Sequence, residues 1–427
     1  MDIKAVILAA GKGTRMKSET TPKVLHEIMG KSLLGYVLDN VKNFVSEEFV
    51  IVGHHAQEVE NYVKANYSNA RTVLQTPQLG TGHAVSMVCP YLEDYEGTVL
   101  ILCGDTPLIK EDTLRAFIDF HTSKNSDLTV MSTIFDNPTN YGRIIRENDN
   151  SLNCIVEEKD ANAEQKAIKE VNAGIYCLNW SKIKSAFSQL KTNNAQGEYY
   201  LTDIISWGKE QNLNVNAYIL EDSDEIYGIN SRLNLAQATK IMNKRNLEKY
   251  MINGVTIVDP DSTWISEDTE IGQDTIIYPA TYIEGKNKIG KNCKIGPCAH
   301  LRGGVEVCDN VKVGNFVEVK KSKISSNTNV GHLSYIGDSE LGEHVNIGAG
   351  TITANYNPLT KIKSKTVLKD NVKIGSNSVL VAPVTVEEGA NVGAGGIITK
   401  DVSAWSLAIT RSPLKIVADW VKMQISK

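Results

Sequence analysis

The sequence predicts two unlike halves, an α/β domain in front and a parallel β-helix behind. Three observations carry this. Residues 1–230 alternate short apolar runs with helically spaced segments, residues 231–252 read as one helix, and beyond Gly254 aliphatic residues recur at every sixth position.

In the front half, residues 5–10, 49–52, Thr98–Cys103 and Leu128–Ile134 are continuous apolar runs of strand length. Between them, residues 33–45, 57–65 and 81–89 carry helical spacing. Strands alternating with helices predict a largely parallel sheet. The helix at 231–252 offers Leu233, Ala236, Ile241, Leu247 and Met251 among polar residues, and Asn253-Gly254 stops it. About 20 residues of helix span ~30 Å, the length of a linker between domains at 1–230 and 253–427.

In the back half, ten consecutive positions six apart, from Ile265 through Ile283 and Leu301 to Val319, are all Ile, Leu or Val. The register slips by one near Ile324 and resumes at Val330 and Ile336. A second run holds Ile374, Leu380, Val386, Val392 and Ile398. Hexapeptide periodicity of this kind marks a β-helix whose aliphatic side chains stack coil upon coil. The polar, basic stretch from Asn355 to Thr366 interrupts the period and reads as a loop on a rigid scaffold.

Composition narrows the function classes. The chain is 41% apolar and 22% charged with a formal net charge of −5, so it lacks the basic footprint of a nucleic-acid binder. Seven cysteines at loose spacing, without a CxxC, argue for free thiols rather than a zinc site. The apolar start is too short for a signal peptide, and no run reaches the ~20 residues of a membrane helix. These features predict a cytoplasmic protein with no membrane partner.

Chemistry concentrates at the ends of the predicted strands. The first strand runs into Gly11, Lys12, Gly13, Thr14 and Arg15, with Pro22-Lys23 shortly after. Small residues let backbone N–H groups approach phosphate, and Arg15 and Lys23 add cations. The loop is neither a Walker loop nor the dinucleotide GxGxxG. Gln75 and the glycine-rich run from Gln78 to Ala84 offer amides for a base edge or simply form a turn; His83 in that run reads more simply as packing than as catalysis. Asp105, after the strand ending at Cys103, either holds a divalent ion on a triphosphate or caps the residues from Thr106 onward. His332, in GHLSY beside the break in the repeat, suits removal of a proton from an amine, although its spacing alone equally fits a surface histidine.

Taken in order, LAAGKGTRM with PK, QLGTGHA, GDTPL, YGRI, IVEEKD, VNAG, NAQGEYYLTD and the hexapeptide half resemble the GlmU family nearly end to end. These are bifunctional N-acetylglucosamine-1-phosphate uridylyltransferases and glucosamine-1-phosphate acetyltransferases. The resemblance implies a Rossmann-like nucleotidyltransferase domain, a connecting helix, a left-handed β-helix with a C-terminal tail, and a homotrimer. It implies acetyl transfer from acetyl-CoA to glucosamine 1-phosphate, then uridylyl transfer from UTP to N-acetylglucosamine 1-phosphate with Mg²⁺. The product feeds peptidoglycan and lipopolysaccharide precursors.

Residue by residue, the resemblance places Leu8, Ala9, Ala10, Gly11 and Gly13 on the nucleotide, with Arg15 and Lys23 acting on its phosphates. Gln75, Gly80 and Thr81 would read uracil. Asp105 and Asn230 would hold the metal, and Gly142, Glu157 and Asn172 the sugar. In the second half His332 would be the general base. Arg302, Lys320, Tyr335, Asn346 and Lys361 would grip glucosamine 1-phosphate. Ala349, Asn355, Tyr356, Ser376, Ala394 and Arg411 would line the acetyl-CoA site. Two departures stand out: Cys103 replaces a Tyr common before the GD pair, and PK follows Met16 one residue late. The competing reading is a monofunctional sugar-1-phosphate nucleotidyltransferase whose β-helix is purely structural.

Overall fold

A computed structural model describes residues 2–410 and 413–425. Contacts divide the chain into two units, Met1–Met242 and Asn243–Lys427, with the division inside the helix Arg232–Ile252.

The first unit is built on one sheet. Its order is Val215–Leu220, Leu128–Ile134, Glu170–Asn179, Thr98–Cys103, Ile3–Leu8, Glu47–Val52, Ala70–Leu74. Neighbours run parallel except at Glu170–Asn179, which is antiparallel to both strands beside it. Helices cover both faces, over cores represented by Val37, Leu38 and Phe117 on one side and by Val85, Trp180 and Ile204 on the other. Ser32 starts the first helix, Leu33–Val41, by accepting from the Gly35 N–H at 2.9 Å. From Ile3–Leu8 the chain moves outward on one side to Glu47–Val52 and Ala70–Leu74, then returns to Thr98–Cys103 on the other. This reversal opens a crevice beyond the carboxyl ends of Ile3–Leu8 and Thr98–Cys103.

The expected strand at 5–10 lies at Ile3–Leu8. Ala9 and Ala10 are buried but already turning, with the Ala9 N–H donating to Ile51 O at 2.9 Å. The expected helix at 81–89 stops at Ser86, and residues 89–91 form a 3-10 turn containing Pro90, whose ring removes a helical donor.

The second unit is a three-faced parallel β-helix, with nine, eight and seven short strands on its first, second and third faces. Each strand pairs with the strand one coil later, so that Ile277 meets Ile295, Ile283 meets Leu301 and Ile289 meets Val307. Fully burying one such side chain stabilises by ~1.5–3 kcal/mol, and the stack repeats this over the whole prism. The slip near Ile324 shortens its coil to 17 residues instead of 18, since Val307 pairs with Ile324, and a second slip shortens the next coil likewise, since Ile324 pairs with Leu341. At the break, Leu341 pairs with Leu368, 27 residues on. The extra chain is extruded between Ile352–Ala354 and Thr366–Leu368 and leaves the stack intact.

A second inward ladder runs two residues before the first. Thr275, Thr281, Asn287, Cys293 and Ala299 are buried small residues at its start. Their polar atoms tie coils together: Thr275 Oγ1 donates to Gly290 O at 2.8 Å and accepts from the Cys293 N–H at 3.0 Å. Corners need a left-handed backbone, which Asn292, Asn310 and Asn327 adopt at φ 54, 60 and 61°.

Along Arg232–Ile252, Ala238 and Met242 are buried in the first unit and Leu247 in the second. Apolar side chains of the last described segment are exposed, Leu414 by 86% and Ile425 by 80%. Among the described residues, all seven cysteines are free and no helix is long and apolar enough to cross a membrane.

Candidate active sites

The crevice of the first unit is a cleft of about 450 Å³. It gathers Leu8, Ala9, Ala10 and Gly11 from the first strand end, Lys23 and Asp105 from either side, and Gln75, Gly80 and Thr81 at its far wall. Gly13 is left-handed, φ 59°, and a Cβ there would stand 2.7 Å from Lys23 Cβ. Glycine is therefore what lets the Lys23 side chain pass. Lys23 Nζ pairs with the Asp105 carboxylate and donates to Asn230 Oδ1 at 2.7 Å. Arg15 Nη2 donates to the same oxygen at 3.0 Å. Four residues from three separate stretches of sequence thus share one knot.

That knot also tests the metal expectation. Among the described residues no group of three His, Cys, Asp or Glu side chains could hold an ion. Asp105 and Asn230 supply two hard oxygens that converge on one cation, the Lys23 ammonium. Two protein oxygens suit Mg²⁺, which keeps several waters and takes its remaining ligands from phosphate. The donor set therefore fits.

Gln75 is buried, and its Nε2 donates to Gly80 O at 3.0 Å and lies 3.1 Å from His83 Nδ1. A carbonyl accepts only, so the Gln75 amide nitrogen must face it, which leaves Oε1 as the amide's free acceptor. The Thr81 hydroxyl accepts from the Leu201 N–H at 3.1 Å. Lys12, Gln78, Cys103 and Glu198 also line the cleft. Gln78 belongs to the glycine-rich run already read as offering amides for a base edge; Lys12 and Glu198 were assigned no role, because lone polar residues in turns carry no spacing signal.

Gly142, Glu157 and Asn172 form their own cluster. A Cβ on Gly142 would lie 3.5 Å from Glu157 Oε2 and 3.6 Å from Asn172 Cβ. Burial pushes the Glu157 carboxyl up, against a 3.3 Å hydrogen bond donated by the Thr202 hydroxyl. Asn172 Oδ1 accepts from the Gly174 N–H at 2.9 Å, and Nδ2 donates to the buried Tyr176 hydroxyl at 2.8 Å. Cys103 joins this cluster to the cleft: its Sγ lies 3.5 Å from Gly174 O, and burial pushes the thiol up to about 12. A thiol there is an inert apolar wall rather than a nucleophile.

In the second unit His332 is exposed at the corner between the first and second faces, ending the strand Asn329–His332. Its carbonyl accepts from Gly350 N at 3.3 Å, that of Ala349 from Asn377 N at 2.7 Å, and that of Ser376 from Gly395 N at 2.8 Å. His332, Ala349, Ser376 and Ala394 therefore occupy one corner on successive coils.

Arg302 and Lys320 are in register on the second face, and Tyr335 pairs with Glu318 beside them. Arg302 is held by Glu318 at 3.0 Å and Glu284 at 3.4 Å, which raise its pKa. The Lys320 ammonium is lowered, first by Arg302 and then by Lys363. Lys363 is a residue that sequence reasoning missed. It bridges Tyr356 across the extruded loop, whereas Lys361 sits at the exposed tip with φ 58°. Asn346 stands on the first face, between Asn329 and Lys373, away from Arg302 and Lys320. Asn355 is buried with its Nδ2 on Asp338, and Tyr356 is exposed. Arg411 lies outside the described residues.

Comparison with known proteins bears on both units. Residues 4–257 match the nucleotidyl transferase family. Residues 288–321 match the bacterial transferase hexapeptide family and residues 368–400 the hexapeptide repeat of succinyl-transferase, in keeping with a left-handed β-helix. The bifunctional protein GlmU of Clostridioides difficile is 44% identical over all of this chain and 99% of its own length. That of Alkaliphilus metalliredigens is 42% identical over 99% and 98%. A solved putative glucose-1-phosphate thymidylyltransferase of Bacillus anthracis covers 56% of the chain at 20% identity and a TM-score of 0.47. With full-length relatives of this kind, the chain belongs to the bifunctional GlmU family, a nucleotidyltransferase half joined to a hexapeptide-repeat acetyltransferase half.

Proposed function

We propose that the chain makes UDP-N-acetylglucosamine in two steps, acetyl transfer on the β-helix followed by uridylyl transfer in the α/β cleft. In the first step His332 takes a proton from the amine of glucosamine 1-phosphate as the amine attacks the thioester carbonyl of acetyl-CoA; the C–N bond forms, the C–S bond breaks, and CoA leaves as its thiolate, to which the proton returns. A protonated amine is no nucleophile, so the attack needs a base at that nitrogen. Arg302, Lys320 and a loop lysine hold the sugar phosphate. Small side chains at Ala349, Ser376 and Ala394 leave a shallow track for an extended thioester beside His332.

In the second step the phosphate of N-acetylglucosamine 1-phosphate attacks the α-phosphorus of UTP in line and pyrophosphate leaves. The nucleophile is already an anion, so alignment and charge neutralisation supply the catalysis. Arg15 and Lys23 neutralise the triphosphate, Gln75 and the Gly80–Thr81 backbone read the base, and Gly142, Glu157 and Asn172 hold the sugar. A Mg²⁺ held by Asp105 and Asn230 would neutralise phosphate charge. In the free cleft Lys23 covers those oxygens, and a triphosphate gives its ammonium another partner.

One observation carries the bifunctional reading over a structural β-helix: His332 heads a corner of small residues, the face that follows it carries Arg302 and Lys320, and a bare scaffold needs neither. We further propose a homotrimer. Outward side chains on two faces of one prism diverge, so Asn346 and Arg302 reach one ligand only if a neighbouring prism lies alongside. UTP and acetyl-CoA as substrates imply work in the cytoplasm. In the test, purified protein receives glucosamine 1-phosphate, acetyl-CoA, UTP and Mg²⁺, and thiol and pyrophosphate release are followed. His332→Ala is expected to lose thiol release at least ~100-fold, the scale of a general base. It should still release pyrophosphate from N-acetylglucosamine 1-phosphate. Wild-type protein that releases pyrophosphate but never thiol would return the β-helix to a structural role.

A further inference from the structure

The extruded loop, residues 355–365, leaves the prism after Ile352–Ala354 and returns at Thr366–Leu368. Both of its stems rest on one residue of the preceding coil, Asp338. The buried Asn355 donates from Nδ2 to Asp338 Oδ2, and the Thr366 N–H donates to Asp338 O at 3.3 Å. Asp338 in turn donates its own N–H to Lys320 O at 3.0 Å. Its backbone is left-handed, φ 48°, a conformation that Asp tolerates. Among the described residues its carboxylate makes no ion pair; it accepts from the Asn355 amide, and its charge also acts on Lys320, opposing the lowering by the neighbouring cations. A charged acceptor on a buried amide is a strong form of hydrogen bond. Within the loop, Ser364 N donates to Asn355 O at 2.8 Å and Tyr356 bridges Lys363. Fixing Asn355 therefore fixes the strand that carries Lys363, whose charge reaches Lys320.

We propose that Asp338 is a positioning residue for acetyl transfer, holding the loop so that Lys363 completes a cation cluster with Arg302 and Lys320. The inference rests on the reading that this cluster binds the phosphate of the sugar substrate. Asp338 touches neither substrate nor the reacting atoms; it acts through Asn355 and the loop.

The test compares Asp338→Gly, which keeps the left-handed backbone unstrained and removes the carboxylate, with Asp338→Asn, which keeps an acceptor for Asn355. Loss of a charged hydrogen bond corresponds to ~10-fold or more in binding. Asp338→Gly should raise KM for glucosamine 1-phosphate about that much, with kcat changed less than ~3-fold, and should speed tryptic cleavage after the loop lysines. Uridylyl transfer by the same preparation should be unchanged. Asp338→Asn should recover most of the KM, and Asp338→Gly combined with Lys363→Ala should be no worse than Lys363→Ala alone. An unchanged KM in Asp338→Gly while Lys363→Ala raises it would overturn the positioning role alone. An unchanged KM in Lys363→Ala would instead remove the phosphate reading beneath it. Equal loss of both activities in the Gly and Asn variants would make Asp338 a folding residue and end the proposal.

Discussion

The two halves place their functional residues by opposite means. In the α/β unit, the loop that carries Arg15 and Lys23 is far in sequence from Asp105 and Asn230, and they meet where the sheet order reverses beside Ile3–Leu8. In the β-helix, His332, Ala349, Ser376 and Ala394 meet because each lies one coil beyond the last. The first site is made by topology and the second by a repeat. A site of the first kind should fail through loss of a single member of its knot. One of the second kind should also fail through loss of the stack beneath it.

The largest expected effect tests the knot. Asp105→Ala leaves the Lys23 ammonium without its carboxylate and removes one of the two oxygens available to a metal. Uridylyl transfer should fall by ~10²–10³, about 3–4 kcal/mol of transition-state stabilisation, as for loss of one essential electrostatic group. Thiol release by the same sample should not change. A parallel fall in both activities would mean that the halves are not separable in the way their architectures suggest.

The next effect tests the stack. Leu301 is fully buried between Ile283 and Val319, and Leu301→Ala should cost about 2–5 kcal/mol of stability. The acetyl-transfer activity should then be lost at a lower temperature than in the parent, with little change in the inactivation temperature of uridylyl transfer. A substitution at one coil that leaves the thermal loss of acetyl transfer unmoved would contradict a site built on stacked coils.

The same contrast governs what could be read from sequence. Strict hexapeptide spacing made the β-helix legible with its slip at Ile324, because a change of one residue per coil is visible as arithmetic; the second slip before Leu341 went unread because the extruded loop breaks the period soon after it. The second ladder, Thr275 to Ala299 and onward, escaped notice because Thr, Asn, Cys and Ala share size and inward position rather than hydrophobicity. In the α/β unit the apolar runs located the strands. They could not show that Glu170–Asn179 runs antiparallel, since direction depends on a connection and not on composition. The knot was visible only as motifs, and its fourth member, Asn230, came from resemblance rather than spacing. The pairing of Arg302 with Glu284 and Glu318 was hidden for another reason: cross-coil neighbours lie 16 and 18 positions away.

The smallest effect concerns the place where the repeat and the loop disagree. The resemblance assigns Lys361 to the sugar phosphate, but the loop holds a second lysine, Lys363, two positions on. In the structure Lys361 stands at the exposed tip, and it is Lys363 that bridges Tyr356 and, after Arg302, lowers the Lys320 ammonium. One charge-assisted contact at an open site gives roughly a 10-fold change in KM, while a tip lysine contributes little through solvent. Lys363→Ala should therefore raise KM for glucosamine 1-phosphate ~10-fold, and Lys361→Ala should change it less than ~2-fold, with kcat held nearly constant in both. The Lys363 effect should shrink in high salt, since screening weakens an exposed cation–phosphate contact. If Lys361→Ala carries the larger KM increase, the loop rearranges around the sugar phosphate, and Lys361 is the lysine that reaches it.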